Sequence, residues 1–258
     1  VRVLNDDGAG TYETFIKGIQ FVGANKAVYN VRVLNLSLRA DATVPYFVDP
    51  LDRAAEQAWA SGIVVLAAAG NVGPYSESIT VPGNDPYVIT VGALNENRTP
   101  GYWADDILPG WSAAGPTLDG FAKPDILAPG SQIVSFMYND PTGVNTQKLV
   151  RLHPDYSVTT SLFRMNGTSM STAVASGVVA LMLQVNSGLT PDQVKYRLIT
   201  SARPALDRQD NPVYNTLQQG MGRVWAPDAV LGAFDASARA NTDMDINADL
   251  AHGYDTEA

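Results

Sequence analysis

The hydrophobic pattern of the chain changes period several times. Ile63–Ala69 (IVVLAAA) and Tyr87–Leu94 (YVITVGAL) are apolar at nearly every position and end in turn residues. Runs of this kind read as strands buried on both faces, the mark of a parallel sheet covered by helices. Val31–Leu38 (VRVLNLSL) reads as another strand, and the opening Val1–Leu4 (VRVL) as a strand with no turn before it. KPDILAPGSQIVSF predicts two short strands around a Pro-Gly turn.

Between these runs the period becomes helical. Phe15, Ile19 and Val22 share a face after the loop NDDGAG. Asp49 precedes Pro50 and an apolar-periodic segment that stops at Gly62, giving an N-cap, a proline at the first helical position and a glycine stop. Thr190-Pro191 opens a second such helix, with Val194, Leu198 and Ile199 on its apolar face. Asn166–Met182 (NGTSMSTAVASGVVALM) is a tight polar turn running into a long helix of small residues, and WAPDAVLGAF predicts a last short helix. Strands alternating with helices indicate an α/β architecture. From Asp235 the chain turns acidic and loses periodicity, so residues 1–234 are expected to form the domain and 235–258 an acidic tail or linker.

Composition narrows the function classes. A length of 258 residues suits one large domain or a domain with an appendage, and 45% hydrophobic content can bury a substantial core. The net charge of −9 argues against nucleic acid as a partner, since no Lys/Arg cluster is present to neutralise phosphates. The absence of cysteine excludes disulfides, thiolate metal sites and cysteine nucleophiles. The longest nearly uncharged apolar run, Ala173–Val185, is shorter than the roughly 20 residues of a membrane span, and no charged-then-apolar leader opens the sequence. Asp243, Asp245 and Asn247 alternate as at the start of a calcium loop. Ala248 stands where that loop needs glycine, and Tyr254 where it needs a bidentate glutamate.

Two residues are candidates for chemistry. Ser169 sits at the corner where the polar turn enters the small-residue helix. A serine there can cap the helix. It can also be a nucleophile at a helix N-terminus, whose free N–H groups and dipole favour an oxyanion. Ala173, Ala175, Ser176, Gly177 and Ala180 predict close packing of that helix on several sides. Asn71 follows Gly70 at the carboxyl end of an apolar strand, where open α/β sheets place ligands. It reads either as a turn residue or as an amide donor to a developing negative charge.

VLNLSL, VVLAAAGN, KPDILAPG and NGTSMSTAVASG follow one another in that order, within a stretch from Val1 to about Phe234 that resembles the subtilisin-like serine proteases. The resemblance implies a three-layer, doubly wound, mostly parallel α/β fold and hydrolysis of polypeptides by a secreted serine endopeptidase. It makes Ser169 the nucleophile and Asn71 the oxyanion donor beside the Ser169 N–H. Ser37 and Leu38 would line one wall of the substrate cleft, and Ala68, Ala69 and Gly70 the other. Catalysis would need no cofactor, and a structural calcium ion is assigned to no residue. The sequence departs from the family pattern at Ala173 and Val174, which replace proline and histidine, and at Arg39, which replaces the glycine after Ser-Leu. The stretch from Tyr138 to Met165 is longer than in compact members and reads as a surface loop or insertion.

The family's aspartate and histidine segments, resembling D-T-G and H-G-T-H, are not in the sequence. His153, followed by Pro154, reads as a surface-loop residue, His252 lies in the tail, and Asp6 and Asp7 read as turn residues. The expectation is a domain truncated at its N-terminus, whose missing segment is a partner. A peptide-binding pseudoenzyme is the alternative. An unrelated doubly wound enzyme is a weaker one: the turn after VRVL has Glu13 in place of the third glycine of a dinucleotide fingerprint, and Ser171 spoils a G-x-S-x-G elbow.

Overall fold

A computed structural model describes residues 1–5, 7–99, 101–137 and 150–251. Four parallel strands form its main sheet: β1 (Val33–Leu36), β2 (Val64–Ala68), β3 (Ile89–Leu94) and β4 (Ile126–Pro129), in that spatial order. Val33 pairs with Val64, Leu66 with Ile89 and Val91 with Ile126. β2 and β3 are buried at every position, as their unbroken apolar runs predict. β1 is the edge strand and only partly buried. The Pro-Gly turn after β4 leads into β5 (Ile133–Phe136), but the two strands do not pair. β5 instead joins β6 (Leu162–Met165) in an antiparallel ribbon.

Helices cover both faces. On one face lie α1 (Tyr12–Ala24), the short α2 (Lys26–Tyr29) and α3 (Pro50–Ala60), with α1 packed on α3. The Asp49 carboxylate accepts from Leu51 N at 2.8 Å and from Tyr12 Oη at 3.0 Å, so one residue caps α3 and ties it to α1. α4 (Thr168–Val185) crosses all four strands on the other face. α5 (Pro191–Ser201) is closed by a Thr190/Gln193 capping box and buries Val194 and Leu198. α6 (Thr216–Gln219), α7 (Ala226–Leu231) and α8 (Ile246–Ala251) follow, α7 packing on α4 and α8 on α3.

Four expectations change. Val1–Leu4 forms no ladder; it lies against α1, where Val3 O accepts from Thr14 Oγ1 at 3.3 Å, because no neighbouring strand offers it a partner. α4 is packed on one side rather than several: Ala175 is buried, but Ala173, Gly177 and Ala180 are exposed. Starting at Thr168, it is also longer than the run Ala173–Val185. At 18 residues and a mean hydropathy of 1.4 it could cross a membrane by length and composition alone, and here its apolar face covers the sheet. Finally, Asp235–Ala251 packs on the domain instead of leaving it. Met244 and Ile246 touch the core, Arg53 donates to the carbonyls of Asp249 and Leu250, and the Asp249 carboxylate accepts from Tyr87 Oη at 2.6 Å.

Candidate active site

The turn before α4 places Gly167, not a hydroxyl residue, at the N-cap. Ser169 is therefore inside the first turn, and its hydroxyl caps nothing. Among the described residues no group hydrogen-bonds to Ser169 Oγ, and the side chain lines a cavity of about 590 Å³. The bland reading of Ser169 as a helix cap is thus removed by its position. The first-turn amides of α4 are used selectively: Thr168 N donates to Asn71 Oδ1 at 2.9 Å and Met170 N to Gly167 O at 3.0 Å. Ser169 N has no acceptor among the described residues. It is the free donor at the positive end of an 18-residue helix.

Asn71 is held by its oxygen. Oδ1 accepts from both Thr168 N and Thr168 Oγ1, the latter at 3.0 Å, and Thr168 Oγ1 in turn accepts from Gly70 N at 3.1 Å. A backbone N–H can only donate, so the bond from Thr168 N fixes the amide's orientation and leaves Nδ2 as the presented donor. Gly70, at φ +119°, is required here. A Cβ would lie 2.9 Å from Thr80 Cγ2 and force a backbone conformation that side chains rarely adopt. Thr168 is the residue of this cluster that sequence reasoning did not single out. Its place inside GTSM was visible; its bond to Gly70, 98 positions away, was not.

Ser37 braces the other side. Its Oγ donates to Ser169 O at 2.8 Å and accepts from Asn35 Nδ2 at 2.9 Å, while Ser176 Oγ donates to Asn35 Oδ1 at 3.2 Å. This relay locks the end of β1 to the start of α4. Ser37, Leu38, Ala68, Gly70, Asn71 and Ser169 all line the one cavity, joined by Leu4, Gly8–Gly10, Tyr12, Phe15 and Thr168. Ala69 is not brought there. It points the opposite way from Ala68, into a small cluster with Ile79 and Ala113, as alternation along a strand requires. Its N–H donates to Val91 O and its carbonyl accepts from Thr80 N, so neither group is free for a substrate.

The remaining titratable candidates lie elsewhere. His153 is exposed in a surface 3₁₀ turn, stacked on Tyr156 with ring centroids 4.8 Å apart, and does not line the cavity. Asp7 donates its N–H to Asn5 Oδ1 in the opening turn. Asp6, His252, Tyr254 and residues 138–149 of the expected surface loop lie outside the described residues. Asp245 accepts from Asn247 N and Ala248 N at the start of α8, a helix-capping use of the would-be calcium ligand. Among the described residues no group of three acidic or histidine side chains is arranged to hold a metal.

Comparison with known proteins gives this geometry its context. The model of the subtilase family matches residues 1–223. The chain is 40% identical to the serine protease AprX of Bacillus subtilis over 238 residues, covering 90% of this chain and 51% of that protein. It is 30% identical to subtilisin DY of Bacillus licheniformis over 204 residues, 78% of this chain and 59% of that one. The chain thus spans about half to three-fifths of these relatives' length. Among solved structures, an S41 psychrophilic protease superposes with a TM-score of 0.67 at 22% identity, over 86% of this chain and 66% of that one. Sphericase does so with a TM-score of 0.66, again at 22% identity and over 86% and 66% of the two chains. Fold and sequence agree: the chain belongs to the subtilase family.

Proposed function

We propose that the chain supplies the nucleophile, oxyanion donors and peptide-binding walls of a secreted serine endopeptidase. Its general base and orienting aspartate come from a segment of the same domain outside these 258 residues. The observation that carries this reading is the Asn71–Thr168–Gly70 clamp. It tethers Asn71 by its acceptor and leaves Nδ2, beside the unpaired Ser169 N–H, as a donor in the cavity that Ser169 lines. Two fixed donors of this kind stabilise a tetrahedral oxyanion.

The chemistry follows from the groups present. Ser169 Oγ attacks the scissile carbonyl carbon and loses its proton to the base. The carbonyl oxygen becomes an oxyanion that accepts from Asn71 Nδ2 and Ser169 N. Collapse expels the amine, which takes the proton from the base, and leaves an ester on Ser169 that water hydrolyses by the same steps. No cofactor enters. Polypeptide is the substrate and nucleic acid is not a partner. The contribution of an additional segment is supported by two open surfaces: the outer edge of β1, and the α4 stripe of Ala173, Gly177 and Leu181, with Leu181 49% exposed.

A fluorophosphonate, which phosphonylates a serine hydroxyl that a base has activated, tests this reading. In the protein with its additional segment present, mass spectrometry should find Ser169 as the modified residue, and Ser169→Ala should remove the label. A peptide-binding pseudoenzyme is the second reading, favoured by the distance of His153 from the cavity. It would bind peptides and take no label.

A further inference from the structure

Arg39 follows Ser37 and Leu38 along the wall of the cavity, and the structure gives it a defined setting. We propose that Arg39 is a specificity-determining residue whose guanidinium takes the carboxylate side chain of an Asp or Glu in the bound polypeptide. The assignment rests on the reading of the cavity as a peptide cleft. Residues 37–40 form a rail pinned at both ends: Ser37 Oγ donates to Ser169 O, and Ala40 exchanges both backbone hydrogen bonds with Val81, at 3.0 and 2.9 Å. Between the pins, the backbone groups of Leu38 and Arg39 have no partner among the described residues. They form a short free edge of the kind an extended peptide adds to. Arg39 lies two residues from Ser37, roughly 7 Å along an extended chain. The substrate side chain it meets is therefore about two residues from the one held at Ser169.

Charge selects the ligand. Of the described residues lining the cavity, only Arg39 and Asp41 are charged. Their closest approach, Arg39 Nη1 to Asp41 Oδ1, is 3.8 Å, beyond a direct hydrogen bond, and no hydrogen bond to the Arg39 side chain is made by any described residue. The two are unequally solvated, the Asp41 side chain being 86% exposed and that of Arg39 48%. Asp41 is thus largely screened by water, whereas the Arg39 side chain is about half buried and keeps its planar donors for a bidentate carboxylate. The net charge of −9 works against acidic peptides in general, so the preference must be local to this position.

The test is kinetic, on the protein with its additional segment present. It uses internally quenched peptides of one apolar frame carrying Glu, Gln or Lys at each position around the scissile bond. At one position kcat/KM should favour Glu over Gln roughly fivefold, mainly through KM, and the ratio should shrink in 0.5 M NaCl, as for a partly exposed pair. Arg39→Gly should bring the ratio to about one, Arg39→Lys should keep part of it, and Arg39→Glu should shift the preference to Lys. Ser169-dependent cleavage with the same Glu/Gln ratio in wild type and Arg39→Gly would overturn the assignment alone. So would a wild-type preference for Lys at that position. Absence of Ser169-dependent cleavage of any peptide would overturn the proposed endopeptidase, and this substrate preference with it.

Discussion

At the C-terminal end of β2 the polar groups are small, uncharged and tied in pairs: Asn71 to Thr168, Thr168 to Gly70, Ser37 to Ser169. At the N-terminal ends of β3 and β4 they are charged and buried. Lys195 Nζ donates to Pro86 O at 2.6 Å and to Tyr87 O and Val88 O at 3.2 Å. Lys123 Nζ donates to Val88 O at 2.9 Å and to Asp125 Oδ2 at 2.7 Å. Beside them Asp52, Glu56, Asn84 and Asp85 are fully enclosed, with several oxygens that accept no hydrogen bond. The contrast separates two uses of polarity. In the proposed function the cleft end keeps donors free for charge that appears only during reaction, whereas the far end holds permanent charge that must be balanced internally.

Burial, with the charges of Asp85 and Asp249 behind it, pushes the Glu56 carboxyl up to about 9. Burial likewise raises Asp85 to about 6, against the pull of Lys123 and Lys195. A proton held on Glu56 can be donated to Asp85 and relieves two of the unpaired oxygens. Asp125 goes the other way. Burial opposes its ionisation, but Lys123 and Lys195 hold it below the usual carboxylate range. Burial lowers Lys195 to about 8.

The largest expected effect is at the cleft end. In the protein with its additional segment present, Ser169→Ala should reduce kcat by about 10⁶, the magnitude known for subtilisin itself. It should leave the unfolding midpoint within a few degrees, since Ser169 Oγ has no partner to lose among the described residues. A large drop in stability would show that Ser169 belongs to the structural class of polar groups after all. Asn71→Leu comes next. The subtilisin precedent is a 10²–10³-fold lower kcat with little change in KM, because the bond forms chiefly in the transition state. A higher KM at unchanged kcat would take Asn71 out of the oxyanion site.

How far this division was legible in the sequence depends on the range of the signals. β2 and β3 were readable because a fully buried strand is apolar throughout, and the Asp49 and Thr190 caps because capping is local chemistry. Ser169 and Asn71 stood out through short motifs at structurally marked corners. Ala69 was misplaced because its neighbours are equally apolar, and alternation alone decides which of them faces the cleft. Val1–Leu4 has strand composition, but a ladder needs a partner that composition does not supply. Asp235–Ala251 looked like a tail because its attachment uses isolated polar contacts, such as Asp249 with Tyr87, that have no period. The buried acids were invisible for the same reason: Asp52 and Glu56 sit on α3, and their enclosure depends on contacts distant in sequence, such as Asn84 with Asp52.

Two predictions address the far end. Asp125→Ala leaves two buried ammonium groups without their carboxylate and should cost about 3–5 kcal/mol of stability in a denaturant titration. Under native conditions the chemistry at Ser169 should be unaltered where the domain remains folded. A change below about 1 kcal/mol would mean that the carbonyls of Pro86, Tyr87 and Val88 alone satisfy the lysines. Glu56→Gln has a smaller, pH-dependent effect. Between its ordinary value of 4.5 and about 9, the unfolded chain has released the Glu56 proton while the folded chain keeps it, so stability falls as pH rises. Lys195 acts oppositely, restoring stability between about 8 and its ordinary 10.5, so pH 6 to 8 is the clean window. Across it Glu56→Gln should gain on wild type by roughly 1 kcal/mol per pH unit. Parallel stability curves would place Glu56 among ordinary ionised carboxylates.

In the proposed function these residues hold a nucleophile and its oxyanion donors while the base comes from outside them. The most direct measurement compares peptide hydrolysis by residues 1–258 alone with that by the same chain carrying its additional segment, at equal concentration and with Ser169→Ala controls in both. Turnover by residues 1–258 should be negligible, and Ser169-dependent turnover should appear when the segment is present. Ser169-dependent hydrolysis at comparable rates by residues 1–258 alone would contradict this and make His153 a candidate for the base.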